Sequence, residues 1–313
     1  MQSVEICGKK AAYLCGRLAV QRRGVRIYDG KSYERQFQLK RWLKSVKIVT
    51  PAEDGRSLWV YYADGELSKV NIENFTCEKQ VKICLKPALH RFSAVEMQSL
   101  PADDTLLFVG KHHDGLCIFE YDVNRNQYHF LLNDNLPKTY IFCHYQRRIE
   151  LVRRQIISGE LPLIQTNYFD CRLNSLPDYV FCEIKVNDLP REKLVRVVCF
   201  SDDRRYLLCL KQERGEIRPA VIDVKETCRL PFKASPSVLQ DSRGWYAAQY
   251  KTFILTGETG SYMLNIEVKN SHWRKFLDER INDFLQTEAG FFALCDRQSY
   301  ILEAADFNLP DRQ

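Results

Sequence analysis

The chain has 313 residues, 45% of them hydrophobic and 27% charged, with a formal net charge of +6. This is the balance of an ordinary folded globular protein, not of a disordered or fibrous chain. No run of 18 apolar residues is present, which excludes a helix that crosses a membrane. Glycine is scarce at 14 residues, so many turns must rely on Asp and Asn.

In chain order, a short apolar segment, Val4-Glu5-Ile6-Cys7, comes first. Lys9 and Lys10 follow, but the next apolar stretch is too short for the core of a signal peptide. From there a strand-rich unit recurs: an acidic turn, an apolar strand, a tight turn, and a second apolar strand ending near an acidic residue. Second strands are predicted to begin near Leu18, Leu58, Leu106, Ile156, Leu207, Ala247 and Phe292, at intervals of 40 to 51 residues. Third strands are predicted at 25–29, 67–72, 116–122, 220–224, 262–266 and 300–303. Most follow a tight pair, Asp64-Gly65, Asp114-Gly115, Arg214-Gly215 or Thr259-Gly260, of the kind that supplies the positive φ short hairpins demand. The fourth unit, about 138–190, is degenerate. Self-similarity at this period marks a propeller or solenoid. Seven units predict an all-β fold, a seven-bladed β-propeller of four-stranded antiparallel blades forming one domain over 1–313.

Three segments depart from the plain pattern. Residues 35–47 interleave basic and aromatic side chains, with Lys40, Arg41, Trp42 and Lys44 at the centre. Residues 146–157 carry two arginine pairs, Arg147-Arg148 and Arg153-Arg154, on a segment readable as a divergent strand or an inserted helix. In 271–285 the apolar residues Trp273, Phe276, Leu277, Ile281, Phe284 and Leu285 suit a helical face, but the repeat register requires two successive strands.

The turn before the second strand, at Asp54-Gly55, Asp103-Asp104, Asp202-Asp203 and Asp241-Ser242-Arg243-Gly244, resembles that of the WD40-like β-propeller superfamily, over nearly the whole chain. Tyr28-Asp29 and Tyr121-Asp122 stand where that superfamily has Trp-Asp, and no unit opens with Gly-His. The resemblance implies a rigid ring that acts as an interaction scaffold. The last unit is one strand short, and Val4–Cys7 is predicted to supply its outer strand and close the ring, removing an exposed sheet edge.

Twelve cysteines include no C-x-x-C pair, and Cys117, Cys199, Cys209 and Cys295 sit inside apolar runs. They are expected to be reduced core thiols in a cytoplasmic or nuclear protein. The phosphate-loop, dinucleotide, H-E-x-x-H and G-x-S-x-G patterns are all missing. His112-His113-Asp114 is the sole local histidine cluster and reads as a hairpin tip, so no catalytic residue, metal or cofactor is expected. Charge is more informative. Residues 1–50 hold 12 Lys or Arg against 3 Asp or Glu, while the remainder holds 34 against 37. The expected function is a non-enzymatic scaffold or adaptor subunit whose basic first blade docks an acidic protein partner, with no membrane contact. Lys40, Arg41, Trp42, Lys44, Arg147, Arg148, Arg153 and Arg154 are the candidate contacts. The alternatives are a nucleic-acid-binding propeller and, behind it, a hydrolase or lyase with carboxylates and histidines, His113 among them, gathered at a central channel.

Overall fold

A run such as Leu58-Trp59-Val60-Tyr61-Tyr62 is too apolar for a strand with one wet face. In the computed structural model its strand is buried along its whole length. The structure describes residues 1–39, 45–83, 92–100, 104–112, 115–134, 140–145, 148–155, 163–170, 180–185, 193–232, 235–268 and 271–307.

Among these residues the strands are β1 (Gln2–Val4), β2 (Lys10–Leu14), β3 (Arg17–Gln21), β4 (Val25–Asp29), β5 (Arg35–Leu39), β6 (Val46–Pro51), β7 (Ser57–Tyr62), β8 (Glu66–Asn71) and β9 (Cys77–Lys82). Next come β10 (Ser93–Ser99), β11 (Thr105–His112), β12 (Gly115–Asp122), β13 (Gln127–Asp134), β14 (Tyr140–Tyr145), β15 (Arg148–Gln155), β16 (Leu163–Asp170) and β17 (Val180–Lys185). The chain continues with β18 (Lys193–Phe200), β19 (Tyr206–Glu213), β20 (Glu216–Asp223), β21 (Cys228–Arg229), β22 (Gly244–Ala247) and β23 (Thr252–Thr256). It ends with β24 (Ser261–Asn265), β25 (Arg274–Leu277), β26 (Ile281–Thr287), β27 (Gly290–Cys295) and β28 (Ser299–Leu302). They form seven four-stranded antiparallel sheets, six of them simple meanders of consecutive strands from β2 to β25.

The seventh sheet is ordered β1-β28-β27-β26, so the strand nearest the N-terminus completes the last sheet. Its register pairs Gln2 with Ile301, Ser3 with Tyr300 and Val4 with Ser299. The predicted closing segment is therefore displaced towards the N-terminus: pairing ends at Val4, and Ile6 and Cys7 are buried beyond it. Ile6 packs with Leu18, Val20, Phe292 and Ile301, and its carbonyl accepts the Ser299 hydroxyl at 2.6 Å.

Among the described residues, apolar clusters join neighbouring sheets. The β2–β5 sheet meets β6–β9 through Ile27, Leu58 and Val60. The β6–β9 sheet meets β10–β13 through Trp59, Phe108 and Phe119. On the other side β18–β21 meets β22–β25, and β22–β25 meets the closing sheet. Both faces of a middle strand are thus covered, which explains its continuous apolar run. The outer strands have no buried residue: β5 is half-buried to exposed and β9 mostly exposed.

The Asp or Asn at the end of the third strand has a local cause. Asp29, Asn71, Asp122, Asp223 and Asn265 each accept the main-chain N–H groups two and three residues on, which turns the chain into the fourth strand. Arg214 and Gly215 take the positive φ expected of their hairpin. Residues 271–285 form β25 and β26, as the repeat register required. Two predicted second strands were misplaced. Ala247 ends a first strand, β22, and the second strand begins at Thr252 after a 3-10 turn. The second strand of the fourth sheet is β15, which ends before Ile156; Ile156 itself lies outside the described residues. Cys7, Cys117, Cys199, Cys209 and Cys295 are buried free thiols. Burial pushes the Cys117 thiol up to about 11.

Between the second and third sheets, Lys69 bridges Asp54 (3.0 Å) and Asp104 (2.9 Å), and Lys79 adds a second cation to Asp104 at 3.0 Å. Burial opposes ionisation of both carboxyls. The N–H groups of Arg56 and Ser57 and the ammonium of Lys69 outweigh it at Asp54, as Lys69 and Lys79 do at Asp104, so both lie below the ordinary carboxylate value. A depressed folded pKa gives stability that is present above the unfolded value and lost as pH falls through the folded one. Lys69→Met is expected to cost about 1–3 kcal/mol at pH 7, with the difference from wild type shrinking by pH 3; urea unfolding at the two values checks this. Deleting residues 1–10 removes β1 and the buried Ile6. The loss is expected to exceed the ~2–5 kcal/mol typical of emptying one aliphatic site, read as a lowered unfolding midpoint.

Candidate functional sites

The first cavity lies where the closing sheet meets the first two. The linker from β1 to β2 brings in Gly8 and Lys9, the β3–β4 hairpin Gln21, Arg22 and Arg23, β4 Arg26, the start of β6 Ser45 and Val46, and the β27–β28 turn Asp296. Its volume is about 660 Å³. The hairpin is tight: Arg22 N–H donates to Gly24 O at 2.9 Å, and Arg23 and Gly24 take φ of 48° and 138°. Gly8 is pinned by its N–H to Cys295 O (3.3 Å) and by Asn282 Nδ2 on its carbonyl (2.9 Å). A Cβ there would stand 2.5 Å from Val20 Cγ1 and 2.7 Å from Gln21 O, so no larger residue fits.

Four cations, Lys9, Arg22, Arg23 and Arg26, face one carboxylate, and Asp296 already accepts Asn282 Nδ2 at 2.8 Å. Gln21 is only 8% exposed. Its Nε2 donates to the carbonyls of Val46 (2.9 Å) and Lys47 (3.1 Å), which fixes the orientation of the amide. Its Oε1 is buried and has no partner among the described residues, and neither has the buried Nε of Arg26.

The second cavity, about 540 Å³, lies among the first strands β2, β6, β10, β22 and β26. Lys10 of β2 pairs with the buried Glu96 of β10. Asp283 of β26 accepts Ala11 N–H at 2.9 Å and Phe284 N–H at 3.0 Å, tying the closing sheet to the first. Burial pushes the Asp283 carboxyl above its ordinary value; the two N–H groups and Lys10 oppose this, and Glu96 reinforces it. Trp245 and the stacked pair Phe284–Phe291, centroids 5.2 Å apart, supply an apolar wall.

Of the residues singled out in the sequence, Lys40, Arg41, Trp42, Lys44 and Arg147 lie outside the described residues, as does His113. The backbones of Arg148, Arg153 and Arg154 belong to β15, paired with Tyr145 and Asp170, Tyr140 and Gln165, and Ile164 respectively; their side chains lie outside the described atoms. No metal-holding group of His, Cys, Asp and Glu occurs among the described residues. Sequence reasoning found the basic first unit but not Lys9, Gln21, Arg22, Arg23 and Arg26. The Arg-Arg-Gly hairpin just ahead of Arg26 was the available signal.

No family model matches the chain, and no curated protein matches its sequence. Solved structures do match in shape. Hydrazine synthase of Kuenenia stuttgartiensis aligns over 93% of both chains with a TM-score of 0.59 and 10% identity. The Dos1 propeller aligns over 93% of this chain and 77% of its own, with a TM-score of 0.57 and 10% identity. An oligogalacturonate lyase in complex with manganese aligns over 94% of this chain and 88% of its own, with a TM-score of 0.60 and 10% identity. The fold is a β-propeller. At this identity the likeness reaches no further than the fold.

Lys10→Met strips the buried Glu96 of its counter-charge and is expected to cost about 2–4 kcal/mol. Adding Glu96→Gln is expected to restore at least half of that loss in a double-mutant cycle read by chemical unfolding.

Proposed function

We propose that the chain is a seven-bladed, WD40-like interaction scaffold, an adaptor subunit of a soluble cytoplasmic or nuclear complex, whose basic first blade docks a protein with an acidic surface. The observation that carries this reading is the cavity where Lys9, Arg22, Arg23 and Arg26 stand against the single, already engaged Asp296. Cations held on rigid strands and a tight hairpin attract an acidic surface without paying to order themselves. The strongly basic composition of residues 1–50 agrees. The ring closes at seven blades through β1 in this reading, and buried free thiols suit a reducing compartment. Lys40, Arg41, Trp42 and Lys44, with Arg147, Arg148, Arg153 and Arg154, are proposed as further contacts on the same logic of charge.

A second reading rests on the axial cavity. Asp283, a carboxyl that holds its proton more tightly than usual, lines the same cavity as Glu96, which suits acid–base chemistry by a hydrolase or lyase. Under that reading any turnover must vanish in Asp283→Asn. A nucleic-acid partner is separated from a protein one by salt: binding by phosphate contacts falls steeply between 50 and 200 mM salt.

Affinity purification from the native source tests the scaffold. Wild type is expected to retain an acidic partner that Arg22→Glu/Arg23→Glu releases, with affinity at least ~10-fold weaker and an unchanged melting temperature. Equal retention by both proteins would refute the reading.

A further inference from the structure

We propose that the cavity bounded by Lys9, Gln21, Arg22, Arg23, Arg26 and Asp296 is a peptide site: it takes an extended acidic segment of a partner protein, with carboxylates on the guanidinium groups and one main-chain N–H on Gln21 Oε1. This rests on the scaffold reading and names the chemistry its partner must present.

The charge alone would suit any anion; the orphan atoms narrow the choice. Arg26 Nε is a buried donor without an acceptor, and a ligand oxyanion supplies one. Gln21 Oε1 is the reverse, a buried acceptor without a donor. It cannot be relieved by rotating the amide, because the same rotation would set Oε1 against the carbonyls that Nε2 now satisfies. An unmade bond at a buried polar atom costs about 1–3 kcal/mol, so a ligand that completes both atoms gains twice. A phosphodiester group or an isolated carboxylate, which carries no proton donor, satisfies Arg26 and is repelled by Oε1. A peptide bearing Asp or Glu carries an acceptor group and a main-chain N–H within one residue of each other. Asp296, an exposed residue lining the same cavity, also faces the ligand as an acceptor rather than a donor. A volume of about 660 Å³ holds a few residues, not a folded surface.

Gly8 and Asp296 reach this cavity only through the closing sheet, so the site exists where the two ends of the chain are brought together.

The test titrates the full chain calorimetrically with acetyl-tetraglutamate amide. Binding is expected for wild type, at least fivefold weaker for Arg26→Lys, which keeps the charge but loses the Nε–H, and at least fivefold weaker for Gln21→Leu. The same peptide N-methylated at its internal amides is expected to bind wild type weakly and to show no further loss with Gln21→Leu. If Gln21→Leu unfolds, the N-methylated peptide against wild type reads the same bond. The proposal is overturned if tetraglutamine binds as well as tetraglutamate, if N-methylation and Arg26→Lys change nothing, or if an oligouridylate of equal charge binds as tightly. Loss of the native partner from Arg22→Glu/Arg23→Glu together with any of these results would sink the peptide site and leave the scaffold standing.

Discussion

Everything else in this structure depends on one short pairing, that of Gln2–Val4 with Ser299–Ile301. Without it the last sheet has three strands, and the linker carrying Ile6, Cys7 and Gly8 loses its anchor on the N-terminal side. With it, Ile6 drops into the cluster shared by the first and last sheets, Gly8 is clasped by Cys295 and Asn282, and Asp283 receives Ala11 N–H. Three independent ties then cross one seam. The hydrogen bonds are modest, about 0.5–1.5 kcal/mol each, but together with the burial of Ile6 they act on elements nearly 300 residues apart and so constrain the whole chain.

The seam also places the two kinds of charge. In the second cavity the charges are matched: the buried Glu96 against Lys10, and Asp283 against main-chain N–H groups. At the junction of the closing sheet with the first, they are cationic and outnumber the one carboxylate, with Lys9, Arg22 and Arg23 exposed and Arg26 half-buried. A buried charge without a partner is unaffordable, whereas a wet one costs little and attracts counter-charges. The contrast separates charges that hold the protein together from charges available to another molecule.

How much of this was legible in the sequence follows from where each strand sits. Middle strands such as β7 and β27, covered on both faces, show as unbroken apolar runs, and their positions in five of the seven units were readable. The sixth unit misled because Trp245-Tyr246-Ala247 and Thr252–Thr256 are separated by a 3-10 turn whose left-handed residue is Lys251, not a glycine. The fourth misled because Arg148–Gln155 is a strand rich in charge, and the apolar pair after it drew the assignment. The surplus of cations in residues 1–50 was plain. That Lys9 and Arg22–Arg26 share a cavity with Asp296 was not, since only the pairing of the chain ends brings position 296 beside position 22. The buried, half-satisfied Gln21 had no sequence signal at all: a lone glutamine at the end of a strand reads as solvated.

The most direct test of the seam is native-state amide hydrogen exchange. If the chain ends are locked as the pairing requires, the amides that join β1 to β28 exchange only as slowly as those of the neighbouring β27, through opening of the whole closing sheet. Exchange of the β1–β28 amides at the rate of a fraying end, while β27 stays protected, would contradict the account.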